Sequence, residues 1–272
     1  MIFGNLFEQV AKFRAGRRLW ATILKEEYGA KDPKTMWMRM IAGGGGFGLT
    51  IEQPENNIVR GAYYALIAAL SGAQTVALCC YDEAYTIPSE KAQRISLRTM
   101  QILIEEMGLC DTVDPLGGSY FVEALTDATE EKIIEIMHDL EMHGGMVRCI
   151  EDGYLQGLIA DEAYKIHQEV ESGERPVVGV NKFVTEEDPP EIATYELDAE
   201  GRDMQLKRLS AVKAERDGAA VEAALAALAR SADGDDNLMH KLIDCANAYC
   251  TVGEMVTTLK SVWGEFQQPV VF

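Results

Sequence analysis

The sequence predicts an α/β chain with parallel strands that passes into a helical second part. Three observations carry this expectation. Short apolar runs alternate with amphipathic helical stretches in the first part of the chain. The two clearest apolar runs are separated by roughly thirty residues, a connection that suits a right-handed helical crossover between parallel strands. Beyond the turn cluster Asp114-Pro115-Leu116-Gly117-Gly118 the pattern becomes helical. The expected division is therefore 1–120 for the α/β part and 121–272 for a helical extension.

Element by element, residues 8–27 read as a helix, with Val10, Phe13, Arg17/Trp20 and Leu24 at helical spacing and Gly29 as the stop. Residues 35–42 are short, apolar and bounded by Pro33 and Gly43, as a buried strand would be. Pro54 opens a second helix that runs to Leu70, with Ile58, Ala62, Leu66 and Ala69 expected inward and Ser71-Gly72 ending it. Residues 74–80 are the second strand candidate. Ser89 is placed to cap a third helix carrying Ala92, Ile95, Ile102 and Leu103 inward. Residues 126–143 form another helix, with Ile133, Ile134, Met137 and Leu140 inward and Gly144-Gly145 closing it. Residues 173–190, rich in Gly, Pro and Glu, read as a linker or an arm on a surface. Residues 206–230 and 238–263 are two helices separated by 231–236, and the Ala-rich run 219–229 reflects helix propensity.

Two strands do not make a stable sheet, and a parallel sheet needs cover on both faces. Met1-Ile2-Phe3 is too short to supply a strand before the first helix. The sheet is thus expected to be completed from outside this sequence.

Composition narrows the function. The 272 residues carry 44 acidic against 25 basic side chains, net −19, which argues against a nucleic-acid backbone as partner. The basic stripe Lys12, Arg14, Arg17 and Arg18 is short and local. No apolar run has the length of a membrane span, and Met1–Val10 does not read as a signal peptide. The six cysteines contain no C-x-x-C pair and read as reduced thiols of a cytoplasmic protein. The four histidines show no metal-ligand spacing. His143 stands in Glu141-Met142-His143-Gly144-Gly145-Met146, which lacks both the aspartate and the glycine of a cobalt-ligating D-x-H-x-x-G, so it reads as a helix-end residue.

Gly43-Gly44-Gly45-Gly46-Phe47-Gly48 fits G-x-G-x-x-G literally. A dinucleotide turn, however, needs its helix to begin within the glycines, and residues 49–54 intervene here. A glycine run at the C-terminal end of a parallel strand suits either a sharp loop or a bulky ligand lying against bare backbone. Asp82-Glu83 holds the equivalent place after the second strand, where a carboxylate accepts from a hydroxyl, acts as a base, or stands solvated in a loop.

Several segments, in order along the chain, resemble the adenosylcobalamin-dependent acyl-CoA mutases of the methylmalonyl-CoA mutase type. They are Ala11-Lys12-Phe13-Arg14-Ala15 with Arg17-Arg18-Leu19-Trp20, then residues 53–60 (Gln-Pro-Glu-Asn-Asn-Ile-Val-Arg), and Asp82-Glu83-Ala84 with Ile87-Pro88. Residues 114–120, Gly144-Gly145-Met146 and 178–183 (Val-Gly-Val-Asn-Lys-Phe) continue the match. The resemblance implies the C-terminal portion of a (β/α)₈ barrel followed by a helical extension. It further implies coenzyme A along the barrel axis and a corrin across the C-terminal strand ends.

In that reading Glu83 matches the carboxylate that bonds the adenosyl ribose, and Gly43, Gly46, Phe47, Ala84 and Ile87 match positions on the cofactor side. Lys34, Gln74, Ile41 and Cys79 match positions near coenzyme A or the acyl group. No catalytic side chain is assigned and no metal ligand; the cobalt would be held by a separate chain or domain, and the remaining strands by a partner. The sequence departs from methylmalonyl-CoA mutase at Ile41, Gly43, Gly44, Gly45 and Cys79, where polar groups are lost and volume is opened. The implied activity is radical carbon-skeleton rearrangement on methylmalonyl-CoA/succinyl-CoA. The alternatives are a bulkier alkyl- or aryl-substituted succinyl-CoA and a non-catalytic scaffold chain.

Overall fold

In the computed structural model, which describes residues 2–44, 46–185, 192, 194–196 and 198–269, the chain is a mostly helical α/β structure. It divides into two compact units, one reaching Tyr195 and the other beginning at Glu196.

The first unit opens with α1 (Leu6–Glu26), capped by Asn5, whose side chain accepts from the Phe7 and Glu8 amides. β1 (Ile41–Gly44) and β2 (Thr75–Leu78) pair in parallel, Ile41 opposite Thr75 and Gly43 opposite Ala77. The crossover between them is α2 (Asn56–Leu70), so the expected β–α–β unit is present. The first strand lies further along than residues 35–42: the segment from Pro33 to Met36 forms a turn, and the ladder begins at Ile41 and takes in two glycines. Ile2 adds one isolated parallel bridge to Gly44, its amide donating to the Gly43 carbonyl at 2.7 Å. Among the described residues the far edge of β2 has no strand beside it.

α3 (Glu90–Glu105) follows β2 with Ser89 as its cap, accepting from the Ala92 amide as expected. α4 (Tyr120–Met142) starts six residues before the expected 126, because Ser119 caps it by accepting from the Val122 amide. Its Ile134 and Met137, expected inward, are exposed; the buried residues are Val122, Thr126 and Leu140. α5 (Gly145–Glu151) and α6 (Tyr154–Glu171) follow, both entered through left-handed glycines, Gly144 and Gly153.

The core joins Ile2, Val10 and Phe13 of the N-terminal segment to Ala42 of β1, Ile67 and Ala68 of α2, and Val122 of α4. α2 is rotated from the expected face: Asn57, Gly61, Ala65 and Ala68 lie buried, because small side chains let the helix approach the sheet and seat Leu78 against Gly61. The basic stripe on α1 has a structural use. Arg14 pairs with Glu123 at 2.7 Å and with Asp114, and Arg18 with Asp127 at 2.7 Å and with Glu130, fastening α1 to α4.

Among the described residues of the second unit, four helices stand where two are expected. α7 (Ala199–Glu215) and α8 (Gly218–Ala232) are separated at Asp217, which caps α8 by accepting from Ala219 and Ala220. α9 (Leu238–Asn247) and α10 (Val252–Trp263) are separated by Tyr249, at φ +60°, and by Thr251, which forms a capping box with Glu254. Val221, Leu228, Cys245 and Cys250 form this unit's core. Arg216 bonds Glu254 at 2.5 and 2.7 Å and the Tyr249 carbonyl at 2.9 Å. Among the described residues no helix is long and apolar enough to cross a membrane.

Candidate functional site

Ligands of parallel α/β folds bind beyond the C-terminal strand ends, so that end of β1 and β2 is the candidate site. Leaving β1, the chain makes a short 3₁₀ turn over Gly46–Gly48 and runs to Pro54. Leaving β2, it makes tight turns from Cys80 to Thr86 before α3. These two loops bring Gly43, Gly46, Phe47, Cys79, Glu83, Ala84 and Ile87 to one end of the sheet. Gly45 lies outside the described residues. Lys34 and Gln74 are at the opposite end, before the strands, with Ile41 opening β1. At ~3.3 Å per residue, four-residue strands separate the two groups by about 13 Å. A ligand touching both must therefore run along the sheet.

The loops are held by side chains that the sequence reading did not single out. Asn57, 1% exposed, accepts from the Thr50 amide at 3.1 Å and donates to the Thr50 and Tyr81 carbonyls at 2.8 and 3.0 Å. One buried amide thereby ties the glycine loop to the loop that carries Glu83. Arg60 donates to Thr50 Oγ1, Asn57 Oδ1 and the Val178 carbonyl, and Gln53 donates to Thr185 Oγ1 at 2.8 Å. The described part of the 173–190 arm is folded onto the start of α2 by these bonds; residues 186–190 lie outside the described residues. Asn181 shapes the arm itself, accepting from Val177 and donating to the Val170 and Arg175 carbonyls. The only signal for this junction was that both segments, 53–60 and 178–183, belong to the resemblance.

Phe47 is 63% exposed and packs edge-on against Phe3 at 5.1 Å; Ile87 is 61% exposed. The Glu83 carboxylate is exposed and turns back to accept from the Cys80 amide at 2.7 Å. Its neighbour Asp82 is buried and accepts from the Ser89 amide at 2.9 Å, bracing the turn into α3. Burial first, and then the Glu83 charge, push the Cys79 and Cys80 thiols up to about 11, so both are neutral near pH 7. Cys79 accepts a hydrogen bond from the Gly46 amide, which links the two loops a second time.

At the other end, Gln74 accepts from the Met40 amide at 3.1 Å and donates to the Gly72 carbonyl. It lines a cavity of about 410 Å³ together with Arg14, Arg17 and Trp37. Lys34 stands exposed in an Asx turn made by Asp32. Among the described residues no group of three or more His, Cys, Asp or Glu is placed to hold a metal ion.

The 2-hydroxyisobutanoyl-CoA mutase large subunit of Aquincola tertiaricarbonis is 44% identical over 270 residues, 99% of this chain and 48% of its own length. The mitochondrial methylmalonyl-CoA mutase of Homo sapiens is 36% identical over 96% of this chain and 35% of its own. The methylmalonyl-CoA mutase of Cereibacter sphaeroides is 37% identical over 98% and 37%. The chain thus spans between a third and a half of the length of these relatives. The sequence model of the methylmalonyl-CoA mutase family matches residues 1–265, and the chain belongs to that family.

Proposed function

We propose that this chain is a working portion of a cytoplasmic, cobalamin-dependent acyl-CoA mutase, an isomerase acting with partner chains. Residues 1–120 would supply the last strands of its (β/α)₈ barrel and 121–272 the helical extension. One chain would contribute the remaining strands, and a cobalamin-binding subunit or domain the cobalt ligand. The observation that carries this reading is the gathering of Gly43, Gly46, Phe47, Cys79, Glu83, Ala84 and Ile87 at the C-terminal end of two parallel strands, with Gln74 and Lys34 at the other end. That arrangement suits a substrate lying along the sheet and a broad cofactor across its end.

The residues present fit such a cofactor. Phe47 and Ile87 stand clear of the protein as an apolar rest, and a methyl added at Gly46 would meet nothing within 4 Å. Bound adenosylcobalamin would supply the radical chemistry, and the protein would supply binding and shielding. Glu83, whose exposed carboxylate now caps the Cys80 amide, would accept from a ribose hydroxyl. Phe47 and Ile87 exclude water from the cofactor face. Gln74, Lys34 and Ile41 would line the coenzyme A end, and Cys79 would border the acyl group.

The test is reconstitution. The chain, produced with the proteins encoded beside it, is assayed for interconversion of methylmalonyl-CoA and succinyl-CoA and of substituted succinyl-CoA esters, with and without adenosylcobalamin. The expected outcome is cofactor-dependent isomerisation of at least one acyl-CoA that is lost when this chain is omitted. Full activity without this chain would assign it a scaffold role instead.

A further inference from the structure

Along each strand side chains alternate between the two faces of the sheet. Gly44, Val76 and Leu78 face α2 and the core: a methyl on Gly44 would touch Tyr64, Leu78 packs on Gly61, and Val76 joins the core around Ala42. The other face carries Ile41, Gly43, Thr75 and Ala77. Ile41 is 69% exposed and Thr75 and Ala77 are exposed; Ile41 and Thr75, at the far end, share a cavity with Trp37, Arg39 and Gln74.

The register stacks this bare face in two layers, Ile41 beside Thr75 and Gly43 beside Ala77, the second adjoining the site. Its chemistry is sparse. Thr75 brings a hydroxyl to the far layer; the near layer brings a hydrogen and a methyl. A methyl built on Gly43 would meet only the Ala77 carbonyl, at 3.6 Å, so the space beside the near layer is open. Cys79, next along, is a neutral thiol already engaged by the Gly46 amide. No imidazole, carboxamide, carboxylate or cation from β1 or β2 faces this space.

The near layer of this wall offers a polar acyl substituent no partner, and it rewards hydrocarbon by burial. We propose that Gly43 and Ala77 are specificity-determining residues that admit an acyl-CoA whose acyl chain bears an apolar branch larger than methyl. This rests on the mutase reading above: the acyl group is the occupant because the chain belongs to a family of acyl-CoA mutases and the near layer adjoins the cofactor end of the sheet.

The experiment uses the assembled enzyme with its partner chains. Butyl-substituted succinyl-CoA and unsubstituted succinyl-CoA compete for turnover, read as the ratio of their kcat/KM values. Their Kd values are also measured calorimetrically without adenosylcobalamin. The ratio should favour the butyl ester by about tenfold or more, a size set by burying the extra methylenes. Ala77→Val and Ala77→Leu should lower that ratio in graded steps, because each fills the space the branch would occupy. Tighter binding and faster turnover of unsubstituted succinyl-CoA would overturn the proposal while leaving the mutase reading intact. So would a ratio unmoved by both Ala77 variants. If neither ester is isomerised although each of the known family substrates is also tried, the mutase reading fails and takes this inference with it.

Discussion

At the scale of the residue, Glu83 does two things that depend on one charge. Its carboxylate caps the Cys80 amide at 2.7 Å, and it holds the Cys79 and Cys80 thiols up beyond what burial does alone. Replacing it by glutamine keeps the shape and removes the charge. Both thiols in Glu83→Gln should then titrate below 11 yet above their ordinary value near 9, since burial, the larger cause, remains. Peptide-resolved alkylation across a pH series reads each midpoint separately, and unmoved midpoints would show that the charge is screened from both. The same variant in the assembled enzyme should hold adenosylcobalamin less tightly by on the order of 1 kcal/mol, the difference between a hydrogen bond to a charged and to a neutral acceptor. The place of Asp82-Glu83 at a strand end is legible in the sequence because the pair follows an apolar run, while the role matched to Glu83 comes from the resemblance. The role of Asn57 is not legible: a buried asparagine and an exposed one look alike until the tertiary structure brings Thr50 and Tyr81 to it.

At the scale of the element, α2 and β1 approach so closely that the contact admits little at Gly44. A methyl there would lie 2.9 Å from Tyr64 Cβ and Cδ2 and 3.3 Å from Leu78 Cδ1. The Tyr64 Cβ is fixed to its helix backbone, so the helix must move away from the strand. Gly44→Ala should cost roughly 1–3 kcal/mol, the usual range for overpacking. Gly46→Ala, whose methyl enters open space, should stay within about 0.5 kcal/mol. Urea denaturation of the two variants checks the pair, and equal costs would contradict the packing argument. Element ends followed the local chemistry of caps. Ser89, after Pro88, marks its helix start in the sequence and caps it, whereas the cap Ser119 precedes Tyr120 and Phe121, both exposed, which carry no inward apolar pattern. The faces were less legible. The inner side of α2 is set by small residues that let it approach the sheet, and periodicity of large apolar residues does not report that.

At the scale of the molecule, two compact units each carry their own apolar cluster. In the second, the Arg216 guanidinium and then the Thr251 amide hold the Glu254 carboxyl well below the usual carboxylate range. A depressed folded value adds stability that is present above the unfolded carboxylate's pKa of about 4.3 and is lost as pH falls through the folded value. Glu254→Gln should therefore lower the thermal midpoint of residues 196–270 at pH 7 and leave the first unit's transition in place. The gap to the parent protein should narrow as pH drops below about 4. Calorimetry with unit-specific probes checks this, and an unchanged gap at low pH would rule out the charge as its source. In the first unit the far edge of β2 and the bare face beside it lead to a second expectation. The chain alone should self-associate, because unpaired strand edges and uncovered apolar faces seek partners. Sedimentation velocity across a concentration series measures it, and a stable monomer at every concentration would count against an incomplete barrel.

By itself the sequence determined the order of strands and crossover, the parallel pairing and many of the helix ends, because caps, glycines and proline act over a few residues. It also determined the family, since segments spread over most of the chain match in order. The tertiary structure alone decided what lies against what: that the α1 arginines serve α4, that residues 53–60 meet 178–183, and that the inner face of α2 is built of small residues. The physical reason is distance along the chain. A contact between residues a hundred apart leaves no local pattern, and a side chain's burial is set by the partner that covers it.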